Sequence, residues 1–291
     1  MSDYDNMPLT IILPCKNEGA SLERILPKLI EKHPKAEIIV VNDGSSDNTQ
    51  EVCERQKIRL VNLPYNMGNG AAVKAGVRSA SNNTIVLMDA DGQHKPEDIP
   101  RLLEKLEQGF DMVVGARDAS GQASIGRLVA NTAYNKLASW MVRHKIEDLT
   151  SGFRAVRADR FREFLHLLPN GFSYPTTCTI AFFRSGYSVS YVPIKAEKRE
   201  GKSHIKIARD GVRFLLIIFK VISLYSPLKI FFPLSVAHFI LGLSYYLYTY
   251  STMERFTNMS ALLFSMAIFI FLIGLVSEQI TMLLYQKRGR E

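Results

Sequence analysis

The residues best equipped for chemistry stand together in Met88-Asp89-Ala90-Asp91-Gly92-Gln93-His94. Two carboxylates at a spacing of two point the same way if the backbone stays extended. Crowding their charges is costly unless a cation binds. Hard oxygen donors favour Mg²⁺ or Mn²⁺, ions that typically link one or two carboxylates to a substrate's phosphates. A bare Asp-x-Asp also occurs in surface turns, but this one directly follows an apolar run ending at Met88.

Two further polar clusters stand at comparable places. In Val41-Asn42-Asp43-Gly44-Ser45-Ser46-Asp47, residues 44–47 suit a turn, with Asp47 or Ser46 as a helix N-cap. Asp43, at the strand end, can accept hydrogen bonds from a base or ribose. Asn66-Met67-Gly68-Asn69-Gly70-Ala71-Ala72 invites a nucleotide-loop reading, but Gly-x-Gly-x-x-Gly fails at Val73. Lys74 is followed by Ala75, so a Walker A loop is excluded as well. His94 is expected to pack beneath the carboxylates, and Trp140 with the Phe182-Phe183 pair in the core. Arg127 and Arg154 read equally well as structural and as functional arginines.

The elements that must position these clusters alternate. Residues 9–13, 37–41, 58–63, 84–88 and 112–115 read as strands. Helical stretches follow at 20–32, from 47 to 55, 71–79 and 96–108. Apolar strands alternating with helices imply an α/β fold, a mostly parallel sheet covered on both faces. Ligands of such sheets bind beyond the carboxyl ends of the strands. Lys16-Asn17-Glu18, Asn42-Asp43-Gly44 and Asp89-Ala90-Asp91 all fall there, and their convergence on one crevice argues more strongly than any single motif.

The 291 residues allow one substantial domain plus accessories. A net charge of +8 would suit nucleic acid, but much of the excess gathers around apolar runs: Lys195, Lys198, Arg199, Lys202, Lys206, Arg209 and Arg213 before them, Lys287, Arg288 and Arg290 after. That pattern indicates a cytosolic membrane face rather than nucleic acid. Cys15, Cys53 and Cys178 have neither metal nor disulfide spacing and read as small buried residues of a reducing compartment. The N-terminal stretch lacks the basic-then-apolar pattern of an export signal.

Residues 1–204 therefore read as a cytosolic domain and 205–225 as a basic amphipathic helix lying in the membrane interface. Residues 226–291 carry two apolar spans, about 228–250 and 260–285, either of which exceeds the roughly 30 Å hydrocarbon core at about 1.5 Å per residue. Tyr245, Tyr246, Tyr248 and Tyr250 form an aromatic belt at one end of the first span. The short connection through Glu254 and Arg255 implies an antiparallel hairpin in the inner or plasma membrane, with the basic tail cytosolic. Glu278 and Gln279, late in the second span, are expected near the interface or facing protein. Two spans per chain allow a homo-oligomer, although no small-xxx-small pattern compels one.

Pro14-Cys15-Lys16-Asn17-Glu18, Val41-Asn42-Asp43-Gly44-Ser45, Asn66-Met67-Gly68-Asn69-Gly70 and Asp89-Ala90-Asp91-Gly92-Gln93-His94 together resemble the inverting glycosyltransferases of family 2. Within that family the likeness is to dolichyl-phosphate mannose synthases and bacterial polyprenyl-phosphate glycosyltransferases. The resemblance implies a GT-A fold, with Pro14, Asn17, Glu18, Val41, Asp43, Asp89 and Ala90 about the nucleotide sugar. It implies that Asp89, Asp91 and Gln93 hold the metal. Arg117 resembles an arginine that contacts donor or acceptor phosphate, and Arg127 is similarly placed. Arg199 and Lys202 match a basic loop that closes over the site, and Glu147-Asp148 matches the family's Glu-Asp element. Lys16 stands where eukaryotic-type mannose synthases have tyrosine, and Gly92 where they have Leu or Ser, so the sugar stays open.

The reaction so implied joins a nucleotide sugar donor to a polyprenyl phosphate acceptor held at a membrane lipid surface. A phosphate monoester loses its second proton near pH 6, so a strong base is not essential. Asp148 could instead position the acceptor or sugar hydroxyls. The chemistry needs compensation of charge on both phosphates. Another lipid or glycan acceptor is the alternative; a processive synthase is disfavoured, since Trp140 follows Ala138-Ser139 rather than a Gln-x-x-Arg. A silent sugar-nucleotide sensor has no physical reason to keep the Asp89/Asp91 pair.

Overall fold

The computed structural model describes residues 7–117, 125–171, 173–195, 223 and 225–286. The chain divides into two compact units, Met1–Ile205 and Lys206–Glu291.

Strand β1, Leu9–Cys15, is buried along its whole length, as a strand covered on both faces must be. Its side chains alternate between two helical layers. Ile11 and Leu13 pack with Leu22, Leu26 and Leu29 of α1, Gly19–Lys32. Ile12 faces the other way, onto α3, Asn69–Ser79. There a β-carbon on Gly76 would stand 2.4 Å from Ile12 Cγ2, so the small residues of α3 let that helix lie directly on the sheet. Truncating a core leucine such as Leu26 to alanine would cost about 2–5 kcal/mol.

Among the described residues this unit also contains β2 (Glu37–Asn42), α2 (Thr49–Arg55), β3 (Arg59–Asn62) and β4 (Thr84–Leu87). After them come α4 (Ile99–Glu107), β5 (Met112–Arg117), α5 (Ile125–Val142), β6 (Arg154–Arg157), α6 (Ala158–Arg162), α7 (Tyr174–Arg184) and β7 (Val189–Ile194). The seven strands stand in the order β3-β2-β1-β4-β6-β5-β7. All neighbours are parallel except β6, which runs antiparallel to both β4 and β5. The mostly parallel α/β sheet expected from the sequence is present, with β6 and β7 added to the five strands read there. Helix α2 begins at Thr49, two residues past Asp47, because Asp47 accepts from Thr49 N at 3.1 Å instead of starting the helix itself. The three cysteines are buried and unbridged. Trp140 departs from its expected core position: it is 55% exposed on α5.

The second unit contains α8 (Leu228–Met253) and α9 (Asn258–Gln286). They run antiparallel: Gly274 meets Phe231, Ala267 O accepts from Ser235 Oγ at 2.8 Å, and Leu263 meets Gly242. Glu254, in a left-handed conformation at φ 52°, ends α8 and turns the chain. Both helices are long and apolar enough to cross a membrane, with mean hydropathies of 1.6 and 2.6. Their outward faces expose Phe232, Phe239, Leu241, Phe269 and Ile273. The expected interfacial helix at 205–225 lies almost wholly outside the described residues, as does the basic tail.

Candidate active site

Three loops at the carboxyl ends of β1, β2 and β3 are laced into one fabric. Asp43 N donates to Cys15 O at 2.9 Å, and Asn17 N to Ser45 Oγ at 2.9 Å. Asn17 stands at φ 55°, and its Oδ1 accepts from Ser46 N at 2.8 Å. Asp47 takes Gly19 N at 2.9 Å and the Thr49 hydroxyl at 2.5 Å. Burial alone would raise the Asp47 carboxyl; these donors outweigh it and hold it below the usual range. Asp43, 4% exposed, accepts from Met67 N at 2.6 Å and Gly68 N at 2.8 Å. It therefore shapes the β3–α3 loop, and its remaining lone pairs are what it can offer a ligand. Pro14 and Val41 are buried under this corner, and Glu18 accepts from Ser21 Oγ at 3.0 Å.

The same loop is gripped from its far side. Asn170 O accepts from Ala71 N at 3.1 Å, and Lys74 Nζ donates to Leu168 O at 3.1 Å and Asn170 Oδ1 at 2.5 Å. A β-carbon on Gly70 would lie 2.1 Å from Pro169 O, and one on Gly68 2.5 Å from Asn170 O. The glycines that suggested a nucleotide fingerprint thus serve a close approach of segment 168–171.

Strand β4 stops at Leu87, and the chain turns at Ala90 and Asp91, so the condition of an extended backbone is not met and the carboxylate pair is carried on a turn. Gly92, at φ 79°, occupies a conformation that favours glycine, which accounts for that residue there. Gln93 N donates to Asp91 Oδ1 at 3.2 Å, and Ala90 is buried. His94 stacks on Phe153 at 4.9 Å between centroids, and its Nε2 lies 3.8 Å from Asp89 Oδ2. Gly152 abuts the same carboxylate: a β-carbon there would meet Oδ2 at 2.6 Å. Burial works against ionisation of Asp89, but His94, the Arg117 cation and the Asn69 amide together hold its carboxyl below the usual range.

Arg117 closes the constellation from the end of β5. Its Nε donates to Asp148 Oδ2 at 2.7 Å, and its Nη2 to Asp148 Oδ1 at 3.0 Å and Thr150 Oγ1 at 2.6 Å. Asp148 also accepts from Arg117 N and from Thr150 N and Oγ1. So many donors make Asp148 an anchor for Arg117. Burial raises the Asp148 carboxyl, and the Arg117 guanidinium and neighbouring amides more than reverse that. Against the cost of burial, Asp148, Asp89 and Asp91 all stabilise the Arg117 cation, which ties the two carboxylates of the β4 turn to this pair electrostatically. The loop bearing Asp148 is pinned by α5: Asn135 Nδ2 donates to Glu147 O at 2.7 Å, and Ile146 N donates to Ser139 Oγ at 2.9 Å.

Arg154, fully buried, is structural. Its guanidinium donates to Ser151 O, to Pro175 O at 3.3 Å and to Thr179 Oγ1 at 3.3 Å, fastening β6 to α7. Tyr174, 1% exposed, has its phenol pushed up by burial and then by the Asp89 charge. Arg127 lies in the first turn of α5 with its side chain outside the described residues, as do Arg199 and Lys202 entirely. The sequence does not single out Asn135 or Tyr174, and shows Asn69, Thr150 and Gly152 only as parts of motifs without a role of their own; each matters through a partner remote in the chain. Among the described residues no three His, Cys, Asp or Glu side chains form a cage by themselves. A separate groove at the amino ends of β2 and β3, lined by His33, Glu37, Gln56 and Arg59 among others, lies away from this chemistry.

Comparison with known proteins finds that residues 10–165 match glycosyl transferase family 2, and residues 226–283 the GtrB C-terminal hairpin. An undecaprenyl-phosphate mannosyltransferase of Micrococcus luteus is 31% identical over 212 residues, covering 67% of this chain and 85% of the relative. A polyprenol monophosphomannose synthase of Mycolicibacterium smegmatis is 30% identical over 209 residues, 65% of this chain and 77% of the relative. The solved glucosyl-3-phosphoglycerate synthase of Mycobacterium tuberculosis, in complex with Mn²⁺, UDP and glucosyl-3-phosphoglycerate, superposes with a TM-score of 0.59 at 19% identity. It spans 75% of this chain and 80% of its own, and the likeness is one of fold.

Proposed function

This chain belongs to glycosyl transferase family 2, and from that premise we propose that it transfers a hexose from a nucleotide sugar to a polyprenyl phosphate, with inversion at the anomeric carbon. The observation that carries the reading is the Arg117–Asp148 clamp, set in the field of Asp89 and Asp91 at the carboxyl ends of the strands. One cation edge and two carboxylates in a single crevice are what two phosphates with opposite roles require.

In this reading Pro14, Asn17, Glu18, Val41, Asp43 and Ala90 surround the nucleotide sugar. Asp89, Asp91 and Gln93 would hold Mg²⁺ or Mn²⁺. The donors fit such an ion, being oxygens, with the Asp89 carboxyl held in its charged form. When bound, the metal supplies charge compensation for the departing diphosphate. Among the described residues Arg117 commits Nε and Nη2 to Asp148 and Thr150, so Nη1 is the edge it presents to a phosphate. An oxygen of the lipid phosphate forms the new bond to the anomeric carbon as the bond to the nucleoside diphosphate breaks. That oxygen is already ionised near neutral pH, so Asp148 orients Arg117 and removes no proton. Arg127, Arg199 and Lys202 add positive charge around the incoming phosphate.

The chain is read as a cytosolic catalytic domain over 1–204, an interfacial helix over 205–225 and a two-span anchor over 226–291. The anchor holds it in the inner or plasma membrane with the basic tail cytosolic. What supports the anchor is the apolar exterior of α8 and α9 together with the GtrB-type match. The test is sugar transfer to short-chain polyprenyl phosphate in detergent, across UDP- and GDP-sugars, with Mn²⁺, Mg²⁺ or chelator. A metal-dependent polyprenyl phosphosugar is the expected product. Donor hydrolysis without lipid product would overturn the acceptor assignment.

A further inference from the structure

Lys16 and Asp43 leave adjacent strand ends. β1 and β2 finish in register, Cys15 opposite Asn42, and Asp43 N donates to Cys15 O at 2.9 Å. Asn66 then bridges the two side chains. Gly44, at φ 64°, lets the loop after β3 come close, since a β-carbon there would stand 2.8 Å from Asn66 N. The Asn66 amide, oriented by its two partners, donates from Nδ2 to Asp43 Oδ2 at 2.8 Å and accepts at Oδ1 from Lys16 Nζ at 2.5 Å. A buried carboxylate and an exposed ammonium are thus held side by side at the carboxyl ends of the strands.

A carboxylate offers about four lone pairs. Met67 N takes one on Oδ1, and Gly68 N and the Asn66 amide take two on Oδ2. One place is left, on Oδ1, and a carboxylate only 4% exposed gains most from a ligand N–H that fills it. Lys16 keeps N–H groups beyond the one given to Asn66. The corner therefore offers one acceptor beside one cationic donor. Uracil presents the complement: a single ring N–H, at N3, flanked by the carbonyl oxygens O4 and O2. Guanine follows its O6 and N1–H with a second donor, the 2-amino group, for which Asp43 has no lone pair left. Cytosine and adenine carry a bare nitrogen where the N–H must be, and it would face the carboxylate's charge. We propose that Asp43, Asn66 and Lys16 together select a uridine diphosphate sugar over a guanosine one, with Asp43 Oδ1 accepting from uracil N3–H and Lys16 Nζ donating to O4. The selection rests on the chain using a nucleotide sugar, as read above.

Calorimetry on the full-length chain in detergent with Mg²⁺, titrated with UDP, GDP and N3-methyl-UDP, tests it. UDP should bind about ten- to hundredfold more tightly than GDP, the usual consequence of one donor left unpaired at a buried site. N3-methyl-UDP, which lacks the N–H, should lose that advantage. 4-Thio-UDP, a weaker acceptor at position 4, should also bind less tightly than UDP. Lys16→Met, checked for an unchanged melting temperature, should erase that last difference. GDP or N3-methyl-UDP binding as tightly as UDP overturns the proposal and leaves the transferase reading standing, because a nucleotide still binds. A difference between UDP and 4-thio-UDP that survives in Lys16→Met overturns the part assigned to Lys16. Absence of binding by every nucleoside diphosphate, with Mg²⁺ or Mn²⁺, removes the functional reading and this selection with it.

Discussion

Gly152 is fitted to Asp89: a β-carbon on residue 152 would stand 2.6 Å from Oδ2 and 3.2 Å from Cγ of that carboxylate. The next residue, Phe153, stacks on His94, whose Nε2 lies 3.8 Å from the same oxygen. The backbone leading into β6 thus sets where the Asp89 carboxylate can lie, although the two residues are far apart in the chain.

Gly152→Ala should therefore displace Asp89 rather than unfold the sheet. A displacement on the order of 1 Å at a reacting centre commonly costs about 10²-fold in rate. The expected outcome is a loss of kcat of that order with a melting temperature close to wild type. A variant with full turnover would separate Asp89 from the chemistry.

Asp91→Asn removes one carboxylate charge from a turn that contributes little to the core. Turnover should fall to background, while circular dichroism and thermal melting stay unchanged. Near-normal transfer in the presence of Mg²⁺ or Mn²⁺ would sink the metal assignment.

Much of this was legible in the sequence, and the reason is local chemistry. β1 is a continuous apolar run, and Asp89 and Asp91 follow another, so strand and carboxylates announce each other. β6 was not legible: Arg-Ala-Val-Arg looks like a solvated turn until Arg154 finds Ser151 O, Pro175 O and Thr179. Nor could spacing reveal that Asp148 would clamp Arg117 from 31 residues away, or that Gly68 and Gly70 make room for Pro169 and Asn170 rather than for phosphate. Trp140 defies the burial that size and hydrophobicity predict, because its place on the α5 helix face decides its exposure.

Asp148→Asn should act on stability and on its pH dependence together. Leaving the mostly buried Arg117 without its carboxylate costs about 3–5 kcal/mol by analogy with other broken buried pairs. The sign of the pH effect follows from the lowered folded-state pKa of Asp148. Its contribution is fully present above the unfolded value, about 3.9, and is lost as pH falls through the lower folded value. Melting temperatures of wild type and variant should thus differ most at neutral pH and converge as the solution is acidified below about pH 4. A gap that stays constant from neutral to acid would show that the carboxylate's charge is not what holds Arg117.

In the hairpin, Glu278 of α9 reaches across to the start of α8. Its Oε2 accepts from Ser226 Oγ at 3.2 Å and Leu228 N at 3.3 Å, so one helix caps the first turn of the other. A negative charge there also suits the positive end of the α8 dipole. One turn further along, Thr281 Oγ1 donates to Ser223 O at 3.0 Å, which makes this end of the pair a polar latch on an otherwise apolar surface. Glu278→Ala leaves the Leu228 N–H without that acceptor, and the usual value of a lost cap is about 0.5–2 kcal/mol. Glu278→Gln keeps an acceptor and gives up the charge, so it should fall between wild type and Ala. The expected order of thermal stability in detergent micelles is Glu, then Gln, then Ala. Equal melting of all three would mean that apolar packing, including Gly274 against Phe231, holds the hairpin without the latch.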